Sequence, residues 1–189
     1  MNKKILAIVM TALMIFAVCG CGKEEATLEI EEGANVQQEL VQLINTDLPS
    51  ISANRDEAVT IYNNYFADGA DLDSETWRAQ LEDEALVKYD AYLADLDKLM
   101  YTNSEVVNLK SLFVKSANSQ REAISFVVDA VKDFDTSKLD QAQQSINDSK
   151  TYMSMYEDEL KNLCAKYNVS IVGEFQSGTA TDATGTDAN

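Results

Sequence analysis

The chain of 189 residues carries 32 acidic against 15 basic side chains, a net charge of −17, and not one histidine. That balance argues against recognition of nucleic acid or an anionic bilayer through the protein's own surface. The missing imidazole removes the commonest acid–base group, imidazole triads and nearly all zinc sites.

Lys3 and Lys4 precede an almost wholly apolar run over residues 5–18, followed by Cys19, Gly20 and Cys21. A basic start and an apolar run too short for a comfortable bilayer span read as an export signal. Val18, Cys19, Gly20 and Cys21 resemble the lipobox of bacterial lipoproteins, with Gly20 before the cut and Cys21 as the lipid acceptor. The resemblance implies that residues 1–20 are removed and that Cys21 carries two acyl chains such as palmitate. It also implies a lipid-anchored protein on the extracytoplasmic face of the cell membrane. An ordinary signal peptide and an uncleaved anchor are the alternatives.

Cleavage there leaves 169 of the 189 residues, with 13 of the 15 basic side chains and all 32 acids. That length and its apolar content suit one domain with one core. Two acyl chains hold a protein to a membrane without help from a basic patch. Cys164 becomes the only thiol of the folded part, so no disulfide forms within it. It is expected to act as a small hydrophobe, because no histidine is present to activate it.

Residues 21–34 are rich in glutamate and read as a flexible tether. A helical domain over residues 35–175 follows, then a tail of Gly, Thr, Ala and Asp over 176–189 that has nothing to bury. The first helix starts at Asn35 as cap and carries Leu40, Ile44, Leu48, Ile51, Arg55, Ala58, Tyr62 and Tyr65 inward. Its register passes through Pro49, which either kinks one helix or splits two. Gly69 suits the left-handed position that ends it.

Asp73 or Ser74 opens a second helix, with Ala85, Tyr89, Tyr92, Leu96 and Leu99 inward, Met100 at the flank and an end near Tyr101. Thr102 and Glu105 have the spacing of a capping box for the third helix. That helix turns Val106, Leu109, Phe113, Ala117, Gln120, Ile124, Val127, Val131 and Phe134 inward. Ser137 and Asp140 repeat the capping pattern before a fourth helix bearing Leu139, Ala142, Ile146, Ser149, Met153, Tyr156, Leu160, Leu163 and Tyr167. Long stretches joined by short turns predict an all-α fold, an elongated antiparallel up-down-up-down four-helix bundle. Val169 to Val172 alternates like a strand but has no partner, and is expected to lie extended against the bundle end.

Three places invite a chemical role. Asp68, Asp71, Asp73 and Glu75 share one loop but lack the spacing of a calcium loop, so helix capping explains them better than a metal. Arg55, Gln120 and Ser149 are polar on inward phases and must pair or reach water. Among the aromatics, most of which fill a core, Trp77 and Tyr152 are placed to make partner contacts.

No cofactor is expected, and no catalytic residue stands out. The reading is a non-catalytic, membrane-anchored helical module that meets an envelope protein or cell-wall polymer. The alternative is a lipoprotein that binds a small ligand or a metal. The chain also resembles, loosely, small helical lipoproteins of unknown function from Gram-positive bacteria, some described as cell-wall binders.

Overall fold

A computed structural model of the chain describes residues 34–67, 69–70 and 74–170. The expected signal segment 1–20, Cys21, all but the last residue of the expected tether 21–34, and residues 171–189 with the expected tail 176–189 lie outside the described residues. Every regular element among the described residues is helical, and the fold is all-α.

The first arm is continuous: α1 (Ala34–Gln42) runs into a π-helical turn (Leu43–Asp47) and on into α2 (Leu48–Ala67). Pro49 accounts for the wide turn, because its ring needs room against the preceding turn and it has no N–H to donate. The Leu48 N–H bonds back to the Leu43 carbonyl. Ser50 and Ser52 start no new helix; their hydroxyls donate to the carbonyls of Asp47, at 2.7 Å, and Pro49, at 3.2 Å. Neither a cap nor a chain break divides the arm at Pro49.

The wide turn changes the phase of the stripe. Buried positions run Val36, Leu40 and Leu43, then step five residues to Leu48, so Leu43 takes the core place expected of Ile44. Ala58, Val59, Tyr62, Tyr65 and Phe66 complete the buried face. Asn35 is no cap: it lies inside α1, and its side chain donates to Thr102 Oγ1 at 3.2 Å. The arm ends as the glycine predicts. Gly69 takes φ +96°, and the N–H groups of Gly69 and Ala70 close on the carbonyls of Phe66 and Tyr65.

The second arm comprises α3 (Glu75–Ala79), a second π-helical stretch (Gln80–Leu86) and α4 (Val87–Lys98). The Ser74 hydroxyl caps it by accepting from the Trp77 N–H at 3.3 Å. Leu81, Ala85, Tyr89, Tyr92 and Leu96 are buried. The helix stops at Lys98, short of the expected Tyr101, because Leu99 turns extended; Met100 is thereby left 84% exposed.

Two 30-residue helices follow, α5 (Ser104–Asp133) and α6 (Ser137–Lys166). Their starts differ from the expected capping boxes. Asn103 caps α5 by accepting from the Glu105 N–H at 2.8 Å, and Asp135 accepts from the Ser137 N–H at 2.9 Å ahead of α6. Their ends use left-handed residues, Phe134 at φ 54° and Asn168 at φ 53°. The N–H groups beyond them, on Asp135 and Val169, bond to the carbonyls of Ala130 and Cys164. Phe134 was expected inward. The left-handed turn throws its ring off the stripe, and it is 65% exposed.

Small residues recur every seventh place along α5, at Ser116, Ala123 and Ala130, and all three are buried. Ala142, Ser145 and Ser149 are their buried counterparts on α6. The Ser116 hydroxyl lies 3.0 Å from the Ser149 carbonyl and 2.9 Å from its hydroxyl, so the two backbones approach closely. Phe113 packs edge-on to Tyr156 with ring centres 5.2 Å apart, extending the same seam.

The seam makes small size a requirement. Ala123→Leu should destabilise the fold by about 1–3 kcal/mol through overpacking. Leu160→Ala, in the wider core, should cost about 2–5 kcal/mol through an emptied volume. Chemical denaturation checks both; an Ala123→Leu variant as stable as the parent would remove the close seam.

Candidate functional site

The best-organised polar group lies inside the bundle. Arg55 projects from α2, Tyr89 from α4 and Gln120 from α5, all buried. Gln120 Oε1 accepts from the Tyr89 hydroxyl at 2.7 Å and from Arg55 Nε at 3.2 Å, so one amide oxygen joins three helices. A further Arg55 nitrogen, Nη1, lies 3.2 Å from the Asp56 carboxylate at the rim. Tyr92 stands edge-on to Tyr89 at 5.5 Å. Burial pushes both tyrosine hydroxyls well above their ordinary pKa, against the opposing pull of the nearby guanidinium. Both therefore remain neutral. Of the three inward polar residues, Arg55 and Gln120 meet one another, whereas Ser149 belongs to the α5–α6 seam.

Tyr62, Tyr101 and Tyr156 follow the same pattern, their hydroxyls raised above the ordinary value chiefly by burial. Tyr101 also donates to Asp47 Oδ2 at 2.6 Å, tying the turn after α4 to the π-helical turn of the first arm. Cys164 is buried, and burial raises its thiol pKa, which suppresses the nucleophilic thiolate.

Trp77 and Tyr152 are both half-buried, but they stand in different surroundings. Trp77 packs on the core, edge-on to Tyr65 at 5.7 Å. Tyr152 lies on α6 with the Lys115 ammonium of α5 placed 5.7 Å over its ring. No described contact is common to the two.

Of the acidic loop, Asp68, Asp71 and Asp73 lie outside the described residues. Glu75 is exposed in the first turn of α3 and pairs with Arg78 at 3.4 Å. Among the described residues, no three acidic or cysteine side chains converge as cation ligands.

A second polar group was not anticipated from the sequence. Glu39 of α1 is buried, and its carboxylate accepts from the N–H and hydroxyl of Thr102 and from the N–H of Asn103. Burial alone would raise its pKa; the three hydrogen bonds outweigh that and hold the carboxyl below its ordinary value. Beside it, Glu105 accepts from Lys166 and from the Tyr167 hydroxyl, which lowers its pKa in turn. Gln37 donates to the Tyr167 carbonyl. Carboxylates and amides thus gather the start of α1, the α4–α5 turn and the end of α6 at one end of the molecule. The one available signal was an acid beside Leu40 in the stripe of the first arm.

The chain matches no protein-family model, no curated protein and no solved structure. Among the described residues, no helix is long and apolar enough to cross a membrane.

The three-helix joint can be tested by a mutant cycle. Gln120→Leu should cost about 3–5 kcal/mol, because it strips a buried guanidinium of a partner. Adding Arg55→Met should recover much of that loss, since the charge leaves with its partner. Strictly additive losses in denaturant melts would show that the two residues do not act as a unit.

Proposed function

We propose that this protein is a lipid-anchored, extracytoplasmic helical module that binds an envelope protein or cell-wall polymer and performs no chemistry of its own. The observation that carries the reading is the lipobox-like run ending at Cys21 ahead of a helical domain. The use of interior polar groups agrees with it. Arg55, Tyr89 and Gln120 bond to each other, which suits a joint between helices rather than a reaction centre.

The finer architecture proposed is an up-down-up-down four-helix bundle. Paired contacts support it, since they run in opposite senses along successive arms. Glu57 meets Lys88, and Asp47 meets Tyr101 farther back along the first arm. Asp90 meets Arg121, and Glu82 meets Lys132. Phe113 meets Tyr156, and Glu105 meets Lys166. The first arm begins where α6 ends, through Gln37 and Tyr167.

Tyr152 and Trp77 are the proposed partner contacts. Tyr152 is the better placed, because its ring meets a surface lysine where that of Trp77 rests on the core.

Metabolic labelling with a fatty-acid analogue tests the anchor. Label should be lost in Cys21→Ala and kept in Cys19→Ala; label retained in Cys21→Ala overturns the assignment. Against the parent protein, Tyr152→Ala should weaken retention of native envelope partners while costing less stability than the core truncation Leu160→Ala. Trp77→Ala should cost more stability. One-to-one binding of a small solute by the parent would replace this reading with solute delivery.

A further inference from the structure

The first arm is one helix in outline, but its two halves are held differently. Among the described side chains of α1, Val36 and Leu40 are the buried apolar ones, with Leu43 just beyond in the wide turn. The other described ties of α1 are polar and reach across to the α4–α5 turn and the end of α6: Glu39 to Thr102 and Asn103, Gln37 to the Tyr167 carbonyl, and Asn35 to Thr102. By contrast, α2 buries seven side chains and contributes Arg55 to the three-helix joint.

Between the halves lies a natural hinge. The turn Leu43–Asp47 already departs from the regular ladder, and Pro49 just beyond it supplies no N–H to the carbonyl one turn back. Ser50 and Ser52 bond to local carbonyls here, which loosens the helical ladder further. The hinge is itself pinned from outside, because the Tyr101 hydroxyl donates to Asp47. A segment that lets go before this point leaves the pin and everything after it in place.

We infer that α1 is a strap that opens and closes about the π-helical turn, with the Glu39 carboxylate as its latch, while α2, α4, α5 and α6 stay folded. Opening exposes the apolar surface that Val36, Leu40 and Leu43 cover. It also lengthens the chain leading into the bundle. Residues 34–43 span about 15 Å as helix and up to about 35 Å when extended. The latch is ionic on one side only. Glu39 is met by two backbone N–H groups and a hydroxyl, while the cation Lys166 is engaged by Glu105. Replacing the carboxylate with an amide of equal size therefore removes a charge-assisted acceptor without creating an orphaned cation.

Amide hydrogen exchange on the full chain at neutral pH decides this. In the parent, residues 34–43 should exchange at least about tenfold faster than the slowest amides of α5 and α6, as a separately opening unit. Glu39→Gln should accelerate residues 34–43 by about tenfold or more and leave residues 104–166 unchanged. Leu40→Ala, which weakens the strap from its apolar side, should give the same pattern. Equal protection of residues 34–43 and the α5–α6 pair in the parent would overturn the inference. So would acceleration spread evenly over the bundle in either variant.

Discussion

A guanidinium inside a helical bundle is the constraint on which much else here depends. Arg55 is 5% exposed, and desolvating a charge is tolerated only where hydrogen bonds replace water. Gln120 supplies one acceptor and Tyr89 shares it, so α2, α4 and α5 must reach the same height along the bundle for the bonds to close. Apolar stripes alone do not set that height, because one leucine layer resembles the next. A single polar joint distinguishes the correct register from its neighbours, the best-attested use of a buried polar group.

The remaining helix is fixed by a different means. Along α5 and α6, contact comes from smallness: Ser116, Ala123, Ala130, Ala142, Ser145 and Ser149 leave no bulk between the backbones. Large rings then fill the space that remains toward the first two arms, where Tyr62, Tyr65, Tyr89 and Tyr92 are at most 1% exposed. The bundle is thus asymmetric, tight on one side and aromatic on the other. The polar end formed by Glu39 and Glu105 closes it where the described chain begins and ends.

Long uninterrupted stretches were legible. The inward positions expected in α5 and α6 are buried except Phe134 and Tyr167 at their ends, because nothing within those helices disturbs the period. The neighbouring row of small residues at Ser116, Ala123, Ala130 and Ser145 was not read as a buried face. Where the backbone changes pitch, extrapolation slips. Leu43 replaces Ile44 because the π-helical turn absorbs an extra residue, and Phe134 leaves the stripe because the chain has already turned left-handed. Inward polarity at Arg55 and Gln120 was readable, but not that they pair, since periodicity says nothing about relative height between helices. Glu39 was hidden for a similar reason. It caps a turn more than sixty positions away, displacing the local box at Thr102 and Glu105 that the sequence suggests. The contact residues Trp77 and Tyr152 differ in how far they rest on the core, a distinction that spacing along one helix does not carry.

The tyrosine-filled interior has a consequence for how the molecule responds to its surroundings. Glu39, Glu105 and Asp135 give up their protons below the ordinary carboxyl range, while buried tyrosines and Cys164 hold theirs above their ordinary values. With no histidine in the chain, few groups are left to titrate between these limits. Its charge, and hence the pH dependence of its stability, should therefore be nearly flat across the neutral range. A protein built this way buffers little near neutrality and keeps the same electrostatic face as the surrounding pH drifts to either side of it.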